Sequence, residues 1–169
     1  MIAAKSLADG IDRFTDIVGR ITSWLALVLA LVMGANVLLR YGFSIGFIWS
    51  QELEWHIMVP ICLFGMGYAM LHGEHVRVDV LFANFTPRNK QLVNIISAVL
   101  ALLFSLIVIW LSMHYVVQSW SISEGSANPG GMDYRYIVKS LIPIGFGMFA
   151  LQSLSEAIKS YLAYRSAWC

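Results

Sequence analysis

Four windows without a single charged side chain decide what this chain can fold into. Nineteen uncharged residues separate Arg20 from Arg40, and nineteen more separate Glu54 from Glu74. Thirty-three lie between Lys90 and Glu124, and sixteen between Lys139 and Glu156. A hydrocarbon core of about 30 Å needs roughly 20 helical residues to cross it. Lys139 can lengthen the shortest window by carrying its ammonium to the interface on an apolar stem. The runs are continuously apolar rather than alternating, which excludes a β-barrel. Only 12% of the 169 residues are charged and 59% are hydrophobic, whereas a soluble domain carries about 25% charged residues. The expected fold is therefore an all-α integral membrane protein of one domain, residues 1–169, with four transmembrane helices at 20–41, 50–72, 87–118 and 134–163.

Local signals set the helix ends. Ser50 can cap the second helix, with Glu52 and Glu54 on its positive end. Gly73 suits the residue just past the close of that helix. Thr86 followed by Pro87 reads as a cap and first turn for the third. Before the first span, Leu7, Ile11, Phe14 and Val18 recur at helical spacing opposite Asp9, Asp12, Arg13 and Asp16. Residues 5–19 are thus expected to form an amphipathic helix lying in the interface, the alternative being a short extension of helix one. Lys and Arg number eight on the side of the two termini and the middle connection, against three in the other two loops. Both termini are therefore expected in the cytoplasm, and Trp49, Trp55, Tyr115 and Trp120 then form an aromatic belt on the outer side.

The polar residues say little about chemistry. A buried ionisable group is the usual mark of function inside a membrane, and the windows contain none near mid-bilayer. Asn36 is the most polar deep residue, and an asparagine there favours contact between helices over substrate binding. A carrier working alone usually needs a buried carboxylate or a broken helix, so this chain is not expected to transport by itself. His72 and His75, with Glu74 and Asp79 nearby, have half of a metal site's spacing, but Gly73 between them spoils a shared face. His56 and His114 could face one another and hold a haem, which leaves a membrane anchor of a redox enzyme as the alternative reading. No P-loop, G-x-S-x-G or H-E-x-x-H is present. The chain is not expected to be an enzyme, to bind nucleic acid or to hold a metal or cofactor. Cys62 and Cys169 are expected to be unpaired thiols. Small residues recur at Ala26, Ala30 and Gly34, at Gly65, Ala69 and Gly73, and at Ser97, Ala101 and Ser105, as ridges for close helix contact.

One ordered set of residues resembles a known family. Arg40 and Tyr41 close the first span; Trp49, Glu52 and Glu54 precede the second; Gly65 and Gly67 lie within it; His75, Arg77, Val78 and Asp79 follow it. This order resembles the DctQ-type small membrane subunit of tripartite ATP-independent periplasmic (TRAP) transporters, over most of the chain. The resemblance implies a non-catalytic subunit of the bacterial cytoplasmic (inner) membrane. Its partners would be a large elevator-type membrane subunit and a periplasmic substrate-binding receptor. Together they would take up an organic acid, driven by an ion gradient, typically sodium. Under this reading Arg40, Tyr41, Trp49, Glu52, Glu54, His75, Arg77 and Asp79 are candidates for the subunit interface. Glu124, Asp133 and Arg135 are candidates for facing the receptor. Arg40, at a span end with few other positive charges, is expected to pair with Glu52 or Glu54. Substrate choice is expected in the receptor and the large subunit.

Overall fold

A computed structural model describes residues 2–74 and 85–166. His75, Arg77 and Asp79 of the family motif, and Cys169, lie outside them. Among the described residues the chain is helical and carries four helices long and apolar enough to cross a membrane. These are α1 (Ile2–Gly42), α2 (Ile48–Leu71), α3 (Pro87–Ser121) and α4 (Arg135–Ser166).

The ends form largely as their residues dictate. Thr86 accepts a hydrogen bond from the Asn89 amide at 3.4 Å, and Pro87 takes the first position of α3, where its missing N–H costs nothing. At the end of α2 the Gly73 amide donates to the Met70 carbonyl and the Glu74 amide to that of Ala69, with Gly73 at φ +74. That is the paired C-terminal closure for which glycine is suited. The Ser50 cap does not form. α2 begins two residues earlier, after Phe47, and Ser50 turns its hydroxyl across to α1 instead.

α1 departs from expectation. Residues 5–19 and the first span are one uninterrupted helix of 41 residues, about 61 Å long. The amphipathic stretch therefore extends helix one rather than forming a separate in-plane helix. Its inward face is the polar one. Ala8, Thr15, Gly19 and Thr22 are buried against the other helices, while Leu7, Phe14 and Ile17 are exposed. In water this pattern would be inside out. At a bilayer interface it is favourable, because outward apolar side chains can enter the boundary between headgroups and acyl chains.

The same inversion holds throughout. Of the buried side chains among the described residues, eleven are polar or charged and five hydrophobic, so small polar groups rather than large apolar ones make the helix contacts. α4 is the centre and packs on each of the other three helices. α1 and α2 pack on each other and on α4, while α3 lies principally along α4. The face of α3 turned inward runs Ala98, Ser105, Ser112 and Ser119, every seventh residue, rather than the Ser97–Ala101–Ser105 ridge. Ser105 and Ser112 return their hydroxyls to carbonyls of their own helix, at 2.6 and 3.0 Å, which satisfies them where water is absent.

Glycines mark two close approaches. A Cβ on Gly19 would stand 1.9 Å from the Tyr68 ring, and one on Gly145 would stand 2.6 Å from Leu63 Cβ. By contrast, Ala26, Ala30 and Gly34 lie on the surface of α1, and a Cβ on Gly34 or Gly65 would meet nothing within 4 Å. Two of the expected ridges thus contain glycines that no neighbouring helix of this chain requires.

Candidate docking surface

Two loops, 43–47 and 122–134, emerge at one end of the bundle, opposite the end where α1 begins and α4 closes. The loop end carries most of the candidate residues that the structure describes. Its organising group is the Glu52 carboxylate, in the second turn of α2, whose residue is only 2% exposed. Oε1 accepts hydrogen bonds from Ser126 Oγ at 2.5 Å, Asn128 Nδ2 at 3.1 Å and Arg135 Nη2 at 3.4 Å. Oε2 accepts from the Met132 amide at 2.7 Å. One side chain of α2 therefore gathers the whole connection between α3 and α4. A buried carboxylate needs such donors, because an unpaired charge away from water is strongly destabilising.

The loop is shaped to reach it. Gly130 has φ +79, a conformation that favours glycine. At Gly131 a Cβ would stand 2.3 Å from Ser126 Oγ and 2.7 Å from Glu52 Oε2, so only a hydrogen fits there. Arg135 also donates to Ser126 Oγ at 3.3 Å and lays its guanidinium over the Trp55 ring, 5.6 Å from the centroid. The Arg135 amide donates to the Glu124 carbonyl at 3.0 Å. Glu124 forms an ion pair with Lys139, whose ammonium also sits 3.9 Å from the Tyr115 ring centroid. The hydrogen bond from Lys139 holds the Glu124 carboxyl below the usual carboxylate range. Asp133 is exposed, its carboxylate beside Gly125.

A second network joins α1 to α2. Ser50 Oγ donates to Asn36 Oδ1 at 2.6 Å, and Asn36 Nδ2 donates to Glu54 Oε1 at 2.7 Å and to the Ser50 carbonyl at 3.3 Å. Asn36 thus serves contact between helices. Arg40, one turn further along α1, pairs with neither Glu52 nor Glu54 and makes no ion pair or hydrogen bond among the described residues. The physical reason is local: Glu52 is occupied by the loop and Glu54 is drawn to Asn36. Arg40 and Glu54 both line an open groove of about 400 Å³, with Tyr41, Phe47, Gln51 and Trp55. Tyr41, Trp49, Trp55, Tyr115 and Trp120 are all well exposed.

The remaining histidines and the opposite end follow helix chemistry. His56 and His114 each place Nδ1 against the carbonyl four residues earlier on their own helix, at 2.6 and 3.3 Å. Each ring is thereby oriented by its own helix. His72 lies 3.6 Å from Asp16 and packs at a tilt against the Tyr68 ring, 4.4 Å between centroids. At the far end Asp12, expected on a solvated face, sits in the contact of α1 with α4. It accepts from Ser155 Oγ at 2.6 Å, Gln152 Nε2 at 3.0 Å and Lys159 Nζ at 3.0 Å. Sequence reading missed Asp12, Ser126, Asn128 and Gly131. The Asn128-Pro129-Gly130-Gly131 run was the one signal available for the loop, since it spells a tightly shaped turn.

Comparison with known proteins agrees with the motif. Residues 13–162 match the family model described as the DctQ component of tripartite ATP-independent periplasmic transporters. The ectoine TRAP transporter small permease protein TeaB of Halomonas elongata is 25% identical over 134 residues, 79% of this chain and 68% of that one. A protein of Haemophilus influenzae whose name gives it as a TRAP transporter small permease is 27% identical over 133 residues, 77% of this chain and 80% of that one. The four apolar helices agree with the inner-membrane location of such permeases. With most of its length matched, this chain belongs to the DctQ family of small membrane subunits of tripartite ATP-independent periplasmic transporters.

Proposed function

We propose that this subunit is a non-catalytic scaffold. It would hold the large elevator-type membrane subunit in the bilayer and present the loop end to the periplasmic receptor. The receptor would deliver an organic acid for uptake driven by an ion gradient, with sodium the expected ion. In this reading both termini lie in the cytoplasm and the loops 43–47 and 122–134 face the periplasm, as the excess of Lys and Arg near the termini and the middle connection favours.

The observation that carries the reading is the loop gathered on Glu52. A receptor that docks repeatedly needs a surface that is already ordered, since ordering a loop at each encounter weakens binding. Glu124, Asp133 and Arg135 belong to that surface or brace it. The exposed apolar faces of α1 and α3, including Leu31, Leu38, Leu103 and Ile107, offer area for the large subunit and for lipid. In this reading Arg40, Tyr41, Trp49 and Glu54 would lie at the margin of that subunit contact, and His75, Arg77 and Asp79 are assigned to it on the family motif alone.

The test is reconstitution of receptor and large subunit in liposomes with and without this chain. Uptake driven by an imposed sodium gradient should require it. Undiminished uptake without it would end the scaffold reading.

A further inference from the structure

The groove at the loop end lies beside the network that joins α1 to α2, and its arginine has no partner among the described residues. Its α1 wall carries Asn36, Val37, Arg40 and Tyr41, and its α2 wall carries Glu54 and Trp55. Asn36 and Arg40 are four residues apart, on one face of α1, about 6 Å along the axis. Asn36 Nδ2 holds Glu54 Oε1 at 2.7 Å. A carboxylate is thus fixed on a groove that is also lined by an arginine with no partner among the described residues. Both charges open into the same space of about 400 Å³, which suits a small polar group rather than a protein helix. Glu54 cannot simply swing to neutralise Arg40 without releasing Asn36, which also accepts from Ser50 Oγ at 2.6 Å.

The surroundings place this space at a membrane interface. Tyr41 is 81% exposed and Trp55 48%, and amphipathic rings of this kind concentrate at the depth of lipid headgroups. Towards the middle of α1, Val37 and Met33 are exposed apolar side chains along which an acyl chain can lie. A ligand matched to the site carries both an anion and a cation, with a hydrocarbon tail pointing into the bilayer.

We propose that this groove binds the phosphoethanolamine headgroup of a phospholipid, with Arg40 on the phosphate and Glu54 on the ammonium. The guanidinium offers two parallel donors to phosphate oxygens, and the carboxylate accepts from the ammonium. Glu54 is the element that selects, because an anionic lipid lacking the ammonium leaves it facing a phosphate without compensation. The lipid would sit at the margin of the subunit contact and fill a charged notch that the polypeptide leaves open.

The experiment uses the full chain assembled with its large subunit. The complex is stripped of loosely held lipid and offered equal amounts of isotopically labelled phosphatidylethanolamine and phosphatidylglycerol. Retained lipid is read by native mass spectrometry. The wild-type complex should keep phosphatidylethanolamine in preference. Arg40→Gln should lower retention of both lipids by about tenfold or more, the loss of one charge-assisted contact. Glu54→Gln, which keeps an oxygen for Asn36, should erase the preference by lowering retention of phosphatidylethanolamine and raising that of phosphatidylglycerol. Inorganic phosphate should not displace the lipid. Equal retention of the two lipids by the wild type, or a preference unmoved by Glu54→Gln, would overturn the proposal. Displacement by inorganic phosphate would mark a site for free anions instead. Absence of any retained lipid would mark a notch filled by the partner subunit. Should Arg40→Gln fail to assemble, Glu54→Gln still decides, because the preference is read within one preparation.

Discussion

Replacing the hydrogen at Gly131 by a methyl group should loosen the whole loop between α3 and α4. The new carbon would stand 2.3 Å from Ser126 Oγ and 2.7 Å from Glu52 Oε2. Neither oxygen is free to retreat. Ser126 is held between Glu52 and Arg135, at 2.5 and 3.3 Å, and Glu52 has its second oxygen on the Met132 amide. Overpacking of a tight site costs about 1–3 kcal/mol. If the strain is relieved by opening the loop, that cost converts to roughly 5- to 150-fold faster local opening. The Met132 amide reports it directly, because its hydrogen bond goes to Glu52. Hydrogen exchange of the purified subunit in nanodiscs should show Met132 protected in the wild type and exchanging at least fivefold faster in Gly131→Ala. Gly34→Ala is the control, since its Cβ meets nothing within 4 Å, and it should leave Met132 unchanged. Equal Met132 exchange in Gly131→Ala and wild type would refute the claim that this glycine and Glu52 together order the loop.

Other consequences are as direct. Gly19→Ala should lower the thermal midpoint through a cost of about 1–3 kcal/mol, because the Tyr68 ring stands 1.9 Å from the new carbon; an unchanged midpoint would contradict the close approach of α1 and α2. Asn36→Ala removes hydrogen bonds to Ser50 and Glu54 and should destabilise by about 1–3 kcal/mol in the same assay. The Lys139–Glu124 pair gives a pH signature. The Glu124 carboxyl is held below its ordinary value, so the stability it adds is full above the unfolded value and is lost as pH falls through the lowered, folded one. The difference in thermal midpoint between wild type and Glu124→Gln should therefore be largest near neutrality and vanish in acid; a difference independent of pH would show that the pair does not matter. Asp12→Ala should loosen the far end, with faster exchange confined to the first turns of α1 and the last turns of α4, where Ser155, Gln152 and Lys159 lose their shared acceptor.

The features legible in the sequence were those decided within a few residues or by the bilayer. Charge-free runs marked four helices because lipid forbids unpaired charge. Thr86, Pro87 and Gly73 marked ends because their backbone chemistry is local. What could not be read depends on partners far along the chain. Glu52 meets donors 74 to 83 residues away, and Asp12 meets donors 140 and more residues away. No local pattern distinguishes these carboxylates from solvated ones. Ser50 illustrates the competition: as a cap it would gain one bond, but packing α2 against α1 brings Asn36 within 2.6 Å. The leading stretch of α1 was expected as a separate interfacial helix, with extension of helix one as the alternative, and no residue between 19 and 20 breaks the helix. Leu7 and Phe14 face out while Ala8, Thr15 and Gly19 make the contacts. Arg40 was expected to pair because it sits alone at a span end; both nearby carboxylates proved to be engaged elsewhere.

The most direct test of the scaffold is transport itself. Receptor and large subunit are reconstituted in liposomes with this chain, without it, and with the chain alone, and uptake is followed under an imposed sodium gradient. The scaffold account predicts uptake only in the complete set. Full uptake without this chain, or uptake by the chain alone, would contradict it.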